Sequence, residues 1–326
     1  MDEPTTIILG TTTVDLLLSG LDHIPVPDGD EFTSDNFTFC SEPLTMVLGG
    51  NGANTAYVLA GLGGTPALCS AIGRDPLGAI ARGWLYDGGV DSELLIQHHT
   101  AATATTTVIA DAARNRQSFH HAGATARFGI EDLPGDAFER AEVLLVTGYQ
   151  LLPGWRPDGM AKALQQVARA GATTLLDIGP AIDDPPTLRE LAPMLPDVTY
   201  LLANAYELRT CVGIADVEDA AGQVLGSGAD QVIVKRGAEG AIRYGPDRAL
   251  TTVPGFDVDV HSTVGAGDAF NAGLIHALRR GRSVAQAVRF ANATAALVVA
   301  APAGVLSAPS RHAVEQLVQD AASSES

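Results

Sequence analysis

The feature that most constrains this chain is a regular alternation of short apolar segments and helical segments after residue 142. Apolar segments at 143–147, 172–177, 198–202 and 231–235 have the length of buried strands. Helix-like segments lie between them, at 157–170, 187–195, 205–212 and 217–225, and two more follow at 284–299 and 310–321. Strands that alternate with helices form a parallel sheet covered on both faces. The sequence therefore predicts an α/β fold.

Composition agrees with such a sheet and limits the partners. Of the 326 residues, 46% are hydrophobic and only 5% aromatic, so small aliphatic side chains must build the core. The net charge is −18, and Lys162 and Lys235 are the only lysines. Nucleic acids and anionic membranes bind to basic patches, so this charge argues against both partners.

Signals for export or membrane insertion are missing from the N-terminal sequence. It starts with Met1-Asp2-Glu3-Pro4 and lacks the positive charge of a signal peptide, and the apolar run at 6–18 is too short to span a membrane. Cysteines stand only at 40, 69 and 211, which indicates neither a disulfide framework nor a metal site. We expect a cytoplasmic protein.

The first 123 residues mix main-sheet segments with shorter strands. A buried strand is predicted at 5–9, with Asp15 beyond its carboxyl end, where open α/β sheets bind ligands. Segments 22–47 and 94–121 alternate polar and apolar residues or are rich in β-branched residues. We expect them to form a small sheet that projects from the main body. A helix at 53–62 and a strand at 66–72 lie between these segments.

A glycine-rich turn at 261–270 precedes a predicted helix. Gly265 and Gly267 allow close approach of a phosphate, and the free N–H groups of a helix start attract anions. Asp268 is unexpected in an anion site, because its carboxylate repels the anion. It either accepts a proton from an attacking hydroxyl or caps the helix, and this stretch alone does not decide between the two.

Three further turns carry polar residues. Residues 49–54, Gly-Gly-Asn-Gly-Ala-Asn, offer amides and Asn side chains that suit hydroxyl groups, although such a cluster is also typical of an ordinary loop. Residues 204–207, Asn-Ala-Tyr-Glu, follow a predicted strand and equally suit a helix cap. Residues 73–78, Gly-Arg-Asp-Pro-Leu-Gly, are interpreted as a helix start capped by Asp75, and we assign them no chemical role.

Together these motifs resemble the ribokinase-like (PfkB) family of carbohydrate and nucleoside kinases. The resemblance rests on Gly-Ala-Gly-Asp at 265–268, Gly-Gly-Asn-Gly-Ala-Asn at 49–54 and Asn-Ala-Tyr-Glu at 204–207, in the family's order along the whole chain. It implies one domain over 1–326, with a Rossmann-like, mostly parallel sheet and a small β lid formed by about 15–48 and 97–123. It also implies an ATP- and Mg²⁺-dependent kinase that phosphorylates a hydroxyl of a neutral sugar.

The resemblance assigns a role to each matched residue. It makes Asp268 the catalytic base and places the anion hole at the amides of Gly265, Ala266 and Gly267. The substrate side would be formed by Asp15, Gly49, Gly50, Asn51 and Asn54. The nucleotide side would be formed by Asn204, Lys235, Gly237, Asn292 and Gly304. Glu207 would hold Mg²⁺ through water. The family usually has an Asp that helps hold K⁺ where this chain has Ser262, so a K⁺ site is doubtful here.

Other activities remain open at the level of sequence. A nucleoside kinase would need an aromatic surface, which Phe32, Phe37, Phe39 and Phe119 could supply. A sugar-phosphate kinase would need cations, for which Arg114 and Arg116 are candidates. A sugar- or nucleoside-binding protein that has lost catalysis is the third alternative, and the intact motifs at 265–268 and 204–207 argue against it. His120 and His121 either contact the substrate or are ordinary histidines. The resemblance also leaves open a homodimer that pairs through the lid.

Overall fold

The computed structural model describes residues 5–24, 38–113, 115–246 and 249–324. The strands of these residues, in chain order, are β1 (Thr5–Leu9), β2 (Thr13–Leu21), β3 (Thr45–Gly49), β4 (Pro66–Gly73), β5 (Leu95–His98), β6 (Ala104–Asp111), β7 (Arg116–His121), β8 (Ala141–Thr147), β9 (Thr173–Asp177), β10 (Tyr200–Asn204), β11 (Gln231–Lys235), β12 (Ala241–Tyr244) and β13 (Leu250–Val253). The α-helices are α1 (Asn51–Gly61), α2 (Pro76–Asp87), α3 (Asp158–Arg169), α4 (Leu188–Leu191), α5 (Ala205–Val212), α6 (Val217–Gly226), α7 (Ala266–Arg279), α8 (Val284–Ala300) and α9 (Arg311–Ser324).

The main sheet has the order β13-β12-β11-β10-β9-β8-β1-β4-β5. Every pair from β11 to β5 is parallel, and β12 is antiparallel to both of its neighbours. Its central strands are apolar on both faces, as in β8, where Leu144 and Leu145 are both fully buried. One core cluster packs α1, α7 and α8 on one face, and a second packs α3, α5 and α6 on the other. The predicted parallel α/β sheet, helix-covered on both faces, is confirmed.

A separate small sheet has the order β3-β2-β6-β7. β2 pairs antiparallel with β3 and parallel with β6, and β6 pairs antiparallel with β7. The prediction of a second sheet is confirmed, but two of its boundaries were wrong. β2 begins at Thr13, ahead of the predicted segment, because the apolar run continues directly from the main sheet into the small one. Gln97 lies in β5 and pairs within the main sheet.

Other differences concern the edges of the fold. The predicted strands between residues 22 and 44 are absent from the described part of that segment, and residues 25–37, with Phe32 and Phe37, lie outside it. The helix predicted at 187–195 is a single turn, α4. The sequence at 251–256 suits a strand or a turn, and β13 covers its first residues, but its antiparallel partner β12 was not predicted. Among the described residues, no helix is both long and apolar enough to cross a membrane.

Candidate active site

The carboxyl ends of four neighbouring parallel strands carry a row of polar side chains. Thr147 ends β8, Asp177 ends β9, Asn204 ends β10 and Lys235 ends β11. In the register of the sheet, Thr147 lies beside Asp177, and Asn204 lies beside Lys235. Because ligands of open parallel sheets bind beyond these ends, the row forms one wall of a site.

A second wall of the site begins at β1, from which the later strands of the sheet extend in both directions. Strands β8 to β11 extend to one side of β1, and β4 and β5 extend to the other. Glycines at this point let α1 approach the sheet. A Cβ on Gly10 would lie 2.7 Å from the backbone of Gly52, and a Cβ on Gly148 would lie 2.8 Å from Oδ1 of Asn51. The start of α1 therefore packs directly onto the ends of β1 and β8.

Asp268 lies between these walls, in the first turn of α7. Asn54 Nδ2 donates to Asp268 Oδ2 at 2.8 Å, and Asn51 Nδ2 donates to Oδ1 at 3.5 Å. The cap interpretation of Asp268 is wrong, because Gly265 is the N-cap, with φ 79° in the left-handed region. Burial raises the pKa of Asp268 to about 6, although the hydrogen bond from Asn54 favours the charged form. A carboxylate with this pKa is suited to accept a proton near neutral pH.

A buried ion pair lies beside the same helix start. Lys235 Nζ is 3.0 Å from Asp177 Oδ2, and the amide of Asn271 donates to the same oxygen. Burial acts to lower the pKa of Lys235, but the carboxylates of Asp177 and Glu207 outweigh it and the pKa is raised. A Cβ on Gly267 would lie 3.5 Å from Lys235 Nζ, so the ammonium lies against the first turn of α7. A cation and a helix N-terminus together favour a bound anion.

Glu207 belongs to the same electrostatic group. It forms a reciprocal cap with Asn204, at 2.7 and 2.8 Å, as the cap interpretation requires. Burial raises the pKa of Glu207 to about 7, and Lys235 acts in the opposite direction. In the described residues no group of three or more His, Cys, Asp or Glu could hold a metal alone. One or two carboxylates with water and phosphate ligands suit Mg²⁺, so Glu207 and Asp177 fit a phosphate-bound ion.

Asp15 lies after β1, in β2 of the small sheet, in agreement with its predicted place at the start of the lid. Its Oδ1 accepts from Thr13 Oγ1 at 2.7 Å, and a Cβ on Gly49 would lie 2.4 Å from its Oδ2. Burial raises the pKa of Asp15. Since Gly49 continues through Gly50 into Asn51, the Asp15 carboxylate lies next to the segment that holds Asp268.

The other predicted nucleotide-side residues lie in turns and a helix around the site. Gly237 begins a 3-10 turn that follows Lys235, and Gly304 begins another that packs against Gly265 through Val305. Asn292 Nδ2 donates to the carbonyls of residues 253 and 254, at 3.2 and 3.0 Å. Their predicted contact with a nucleotide stays a prediction.

Two residues of the site were missed from the sequence. Asp177 was noted only as the end of a strand, although an acidic residue at that position is itself a signal in a parallel sheet. Asn271 is three residues after Asp268, so the two share a face of α7. That spacing could have indicated Asn271, but its partner Asp177 is 94 residues away in sequence.

The fold and the site define a class of enzyme. A buried carboxylate with a raised pKa lies in the first turn of a helix, beside a lysine, on an α/β sheet with a small second sheet, and phosphoryl transfer to a hydroxyl can use such an arrangement. A family model described as pfkB family carbohydrate kinase matches residues 34–324. The chain belongs to this family and is a kinase with a hydroxyl acceptor.

Relatives of known activity support the assignment. The chain is 32% identical to an ATP-dependent ribose-1-phosphate kinase of Halopiger xanaduensis, over 83% of this chain and 86% of the relative. It is 34% identical to a 1-phosphofructokinase of Rhodobacter capsulatus, over 75% of this chain and 77% of the relative. The structure of Arabidopsis thaliana ribokinase complexed with ribose and ATP is similar in fold, with a TM-score of 0.84, 23% identity and coverage of 97% of this chain and 99% of that one.

Proposed function

We propose that this protein transfers the γ-phosphoryl group of ATP to a hydroxyl of a neutral sugar, with Asp268 as the general base. The observation that carries the proposal is the position of Asp268. Its carboxylate is held by the amides of Asn54 and Asn51 on one side, and Lys235 lies against its helix start on the other.

The base function follows from the state of the carboxylate. A substrate hydroxyl loses its proton as it attacks phosphorus, and the charged form of Asp268 accepts that proton. The pKa of about 6 leaves most of the carboxylate charged at neutral pH. Asn54 donates to Oδ2, so this hydrogen bond fixes the direction of the carboxylate and stabilises its charged form.

Charge stabilisation would come from the other half of the site. The N–H groups of Gly265, Ala266 and Gly267 would bind the transferred phosphoryl group, and Lys235 would neutralise part of its charge. When bound, Mg²⁺ would neutralise phosphate charge, with Glu207 and Asp177 to hold its water ligands. Gly237, Asn204, Asn292 and Gly304 would lie along the rest of the nucleotide.

The acceptor side favours a neutral polyol. Asp15 contributes a carboxylate there, which accepts hydrogen bonds from hydroxyls and repels a phosphate. The name of the ribose-1-phosphate kinase keeps a sugar phosphate as the second candidate. A nucleoside is less favoured, because Phe119 lies on the face of the small sheet opposite Asp15 and Phe39 is 88% exposed.

Two further expectations stay proposals. The small sheet would act as a lid that covers the acceptor and excludes water, which otherwise hydrolyses ATP. The acidic surface and the few cysteines favour a cytoplasmic location.

The proposal is tested with a panel of acceptors. Pentoses, hexoses, nucleosides and sugar 1-phosphates are incubated with ATP and Mg²⁺, and both ADP and the phosphorylated product are measured. We expect stoichiometric ADP and product with a neutral sugar. Transfer to none of the panel, or ADP release without product, would contradict the proposal.

A further inference from the structure

A polar row crosses three strands of the small sheet. Asp15 in β2 pairs with Thr106 in β6, and Thr106 pairs with His120 in β7. Directly paired residues point to the same face of a sheet, so the three side chains lie side by side. Asp15 lies over Gly49, next to the start of α1, and this places the row on the face that turns to the acceptor.

The hydrogen bonds of the row have a defined direction. Thr106 is paired with Asp15 across the two strands, and its hydroxyl acts to lower the pKa of that carboxylate, as a donor does, so we direct its one proton to Asp15. Thr106 Oγ1 is 3.1 Å from His120 Nδ1, and with its proton used it can only accept. Nδ1 must therefore carry the proton of the imidazole. In a neutral ring Nε2 is then an acceptor, and it has no hydrogen-bond partner among the described residues.

The charge of the ring follows from its neighbours. Burial lowers the pKa of His120, Asp15 acts to raise it, and His121 on the same strand lowers it further. The net shift is downward, so the ring is neutral at neutral pH. The row thus presents two hydrogen-bond acceptors, a carboxylate and Nε2, and no cation. Hydroxyl groups can donate to both, whereas a phosphate group can donate to neither as a dianion.

We propose that His120 is a specificity-determining residue, whose Nε2 accepts a hydrogen bond from a second hydroxyl of the acceptor sugar. Thr106 is a positioning residue that holds the required tautomer. The row selects sugars with free hydroxyls at both positions and rejects sugars phosphorylated at either one. The proposal rests on the proposed sugar kinase function.

The kinetic test compares neighbouring histidines on opposite faces of the same strand. His120→Leu removes Nε2, and we expect KM for the preferred neutral sugar to rise about tenfold with KM for ATP unchanged. His121→Leu is the matched control and should leave both values unchanged. His120→Gln keeps an acceptor oxygen and should restore part of the loss. Equal KM values for the sugar in wild type and His120→Leu would overturn the proposal while the kinase function stands.

Substrate choice and tautomer give independent readouts. We expect His120→Arg to raise kcat/KM for a sugar 1-phosphate relative to the neutral sugar, since it replaces an acceptor with a cation. Long-range ¹H–¹⁵N spectra of the wild type should show the Nδ1–H tautomer for His120, and Thr106→Val should reduce it. An Nε2–H tautomer, or wild-type preference for a sugar 1-phosphate, would overturn the proposal with transfer intact. A wild type without any transfer would instead contradict the proposed function.

Discussion

At the scale of single residues, the groups around Asp268 shift its pKa, and we expect this pKa to set the pH dependence of kcat. Burial raises this pKa to about 6, and the Asn54 hydrogen bond opposes the rise. Since only the charged form accepts a proton, kcat should fall as the pH drops through about 6. Asn54→Ala removes the opposing bond, so the acid limb of the kcat profile should move to higher pH. Asn51, at 3.5 Å, is the control and should give a smaller shift when changed to Ala. An unmoved limb in Asn54→Ala would contradict this account.

We expect Ser262 to set the response to monovalent cations. Its Oγ accepts from Val264 N at 3.3 Å, and the nearby Val299 carbonyl already accepts from His261 N and Ser262 N. A neutral hydroxyl in place of a carboxylate binds a hard cation weakly. We expect initial rates to change little when K⁺ is replaced by tetramethylammonium at constant ionic strength, and Ser262→Asp to introduce saturable activation. Strong K⁺ activation of the wild type would show that other oxygens suffice.

At the scale of elements, the start of α2 holds the connection to the small sheet. Asp75 accepts from Gly78 N at 2.8 Å, as a cap, and also from Thr103 N and Oγ1, both at 2.7 Å. Thr103 is buried and immediately precedes β6, so this carboxylate joins a main-sheet helix to a strand of the small sheet. The interpretation of this turn as a capped helix start was correct but incomplete.

Asp75→Ala should therefore lower the free energy of unfolding by more than the loss of a helix cap alone. It leaves buried Thr103 groups without partners, which adds roughly 1–3 kcal/mol to the loss of free energy of unfolding. Asp216→Ala is the control, because Asp216 caps α6 with one bond to Asp219 N and should cost about 1 kcal/mol. Urea denaturation of both variants measures the difference. Equal losses would show that the Thr103 bonds contribute nothing to stability.

The main-sheet elements were predictable because each carries its own signal. β11 and α5 have the predicted bounds, since an apolar run between polar ends and a capped amphipathic run are both local patterns. The start of the small sheet was placed at about residue 15 instead of Thr13, because the apolar residues of β2 continue those of β1 and only residues 10–12 separate the two sheets. Which sheet a strand joins depends on pairing partners distant in sequence, and no local pattern records that.

At the scale of the whole molecule, the outer face of the small sheet is apolar. Met46, Leu16, Thr107 and Phe119 form a row across the four strands, opposite the face that carries Asp15. Met46 is 41% exposed and Phe119 is 53% exposed. An apolar face of this kind favours contact with a second copy of the chain. We expect a dimer by sedimentation equilibrium and a shift to monomer in Phe119→Glu, with Ser118→Glu, on the opposite face of the same strand, as the control. A wild-type monomer at all concentrations would exclude this contact.

The site was predictable from the sequence only where its residues are neighbours that form a recognisable motif. Gly265 to Asp268 and Asn51 to Asn54 are adjacent in sequence, and the structure joins them through the bond between Asn54 and Asp268. The ion pair of Asp177 with Lys235 joins residues 58 positions apart, and although Lys235 was assigned to the nucleotide side, no local pattern links it to Asp177. Such a pair exists because β9 and β11 flank β10, so it follows from strand order.

If Asp268 is the base of a phosphoryl transfer, its replacement should act most directly on the rate of a single turnover. Single-turnover transfer from ATP to the preferred sugar is compared between wild type and Asp268→Asn, with ATP affinity measured on both. Asp158→Asn is the control, because Asp158 is an exposed acidic residue in the first turn of another helix. We expect Asp268→Asn to lose about 10²–10⁴-fold in rate with ATP binding nearly unchanged, and Asp158→Asn to match the wild type. A near-wild-type rate in Asp268→Asn would contradict the account.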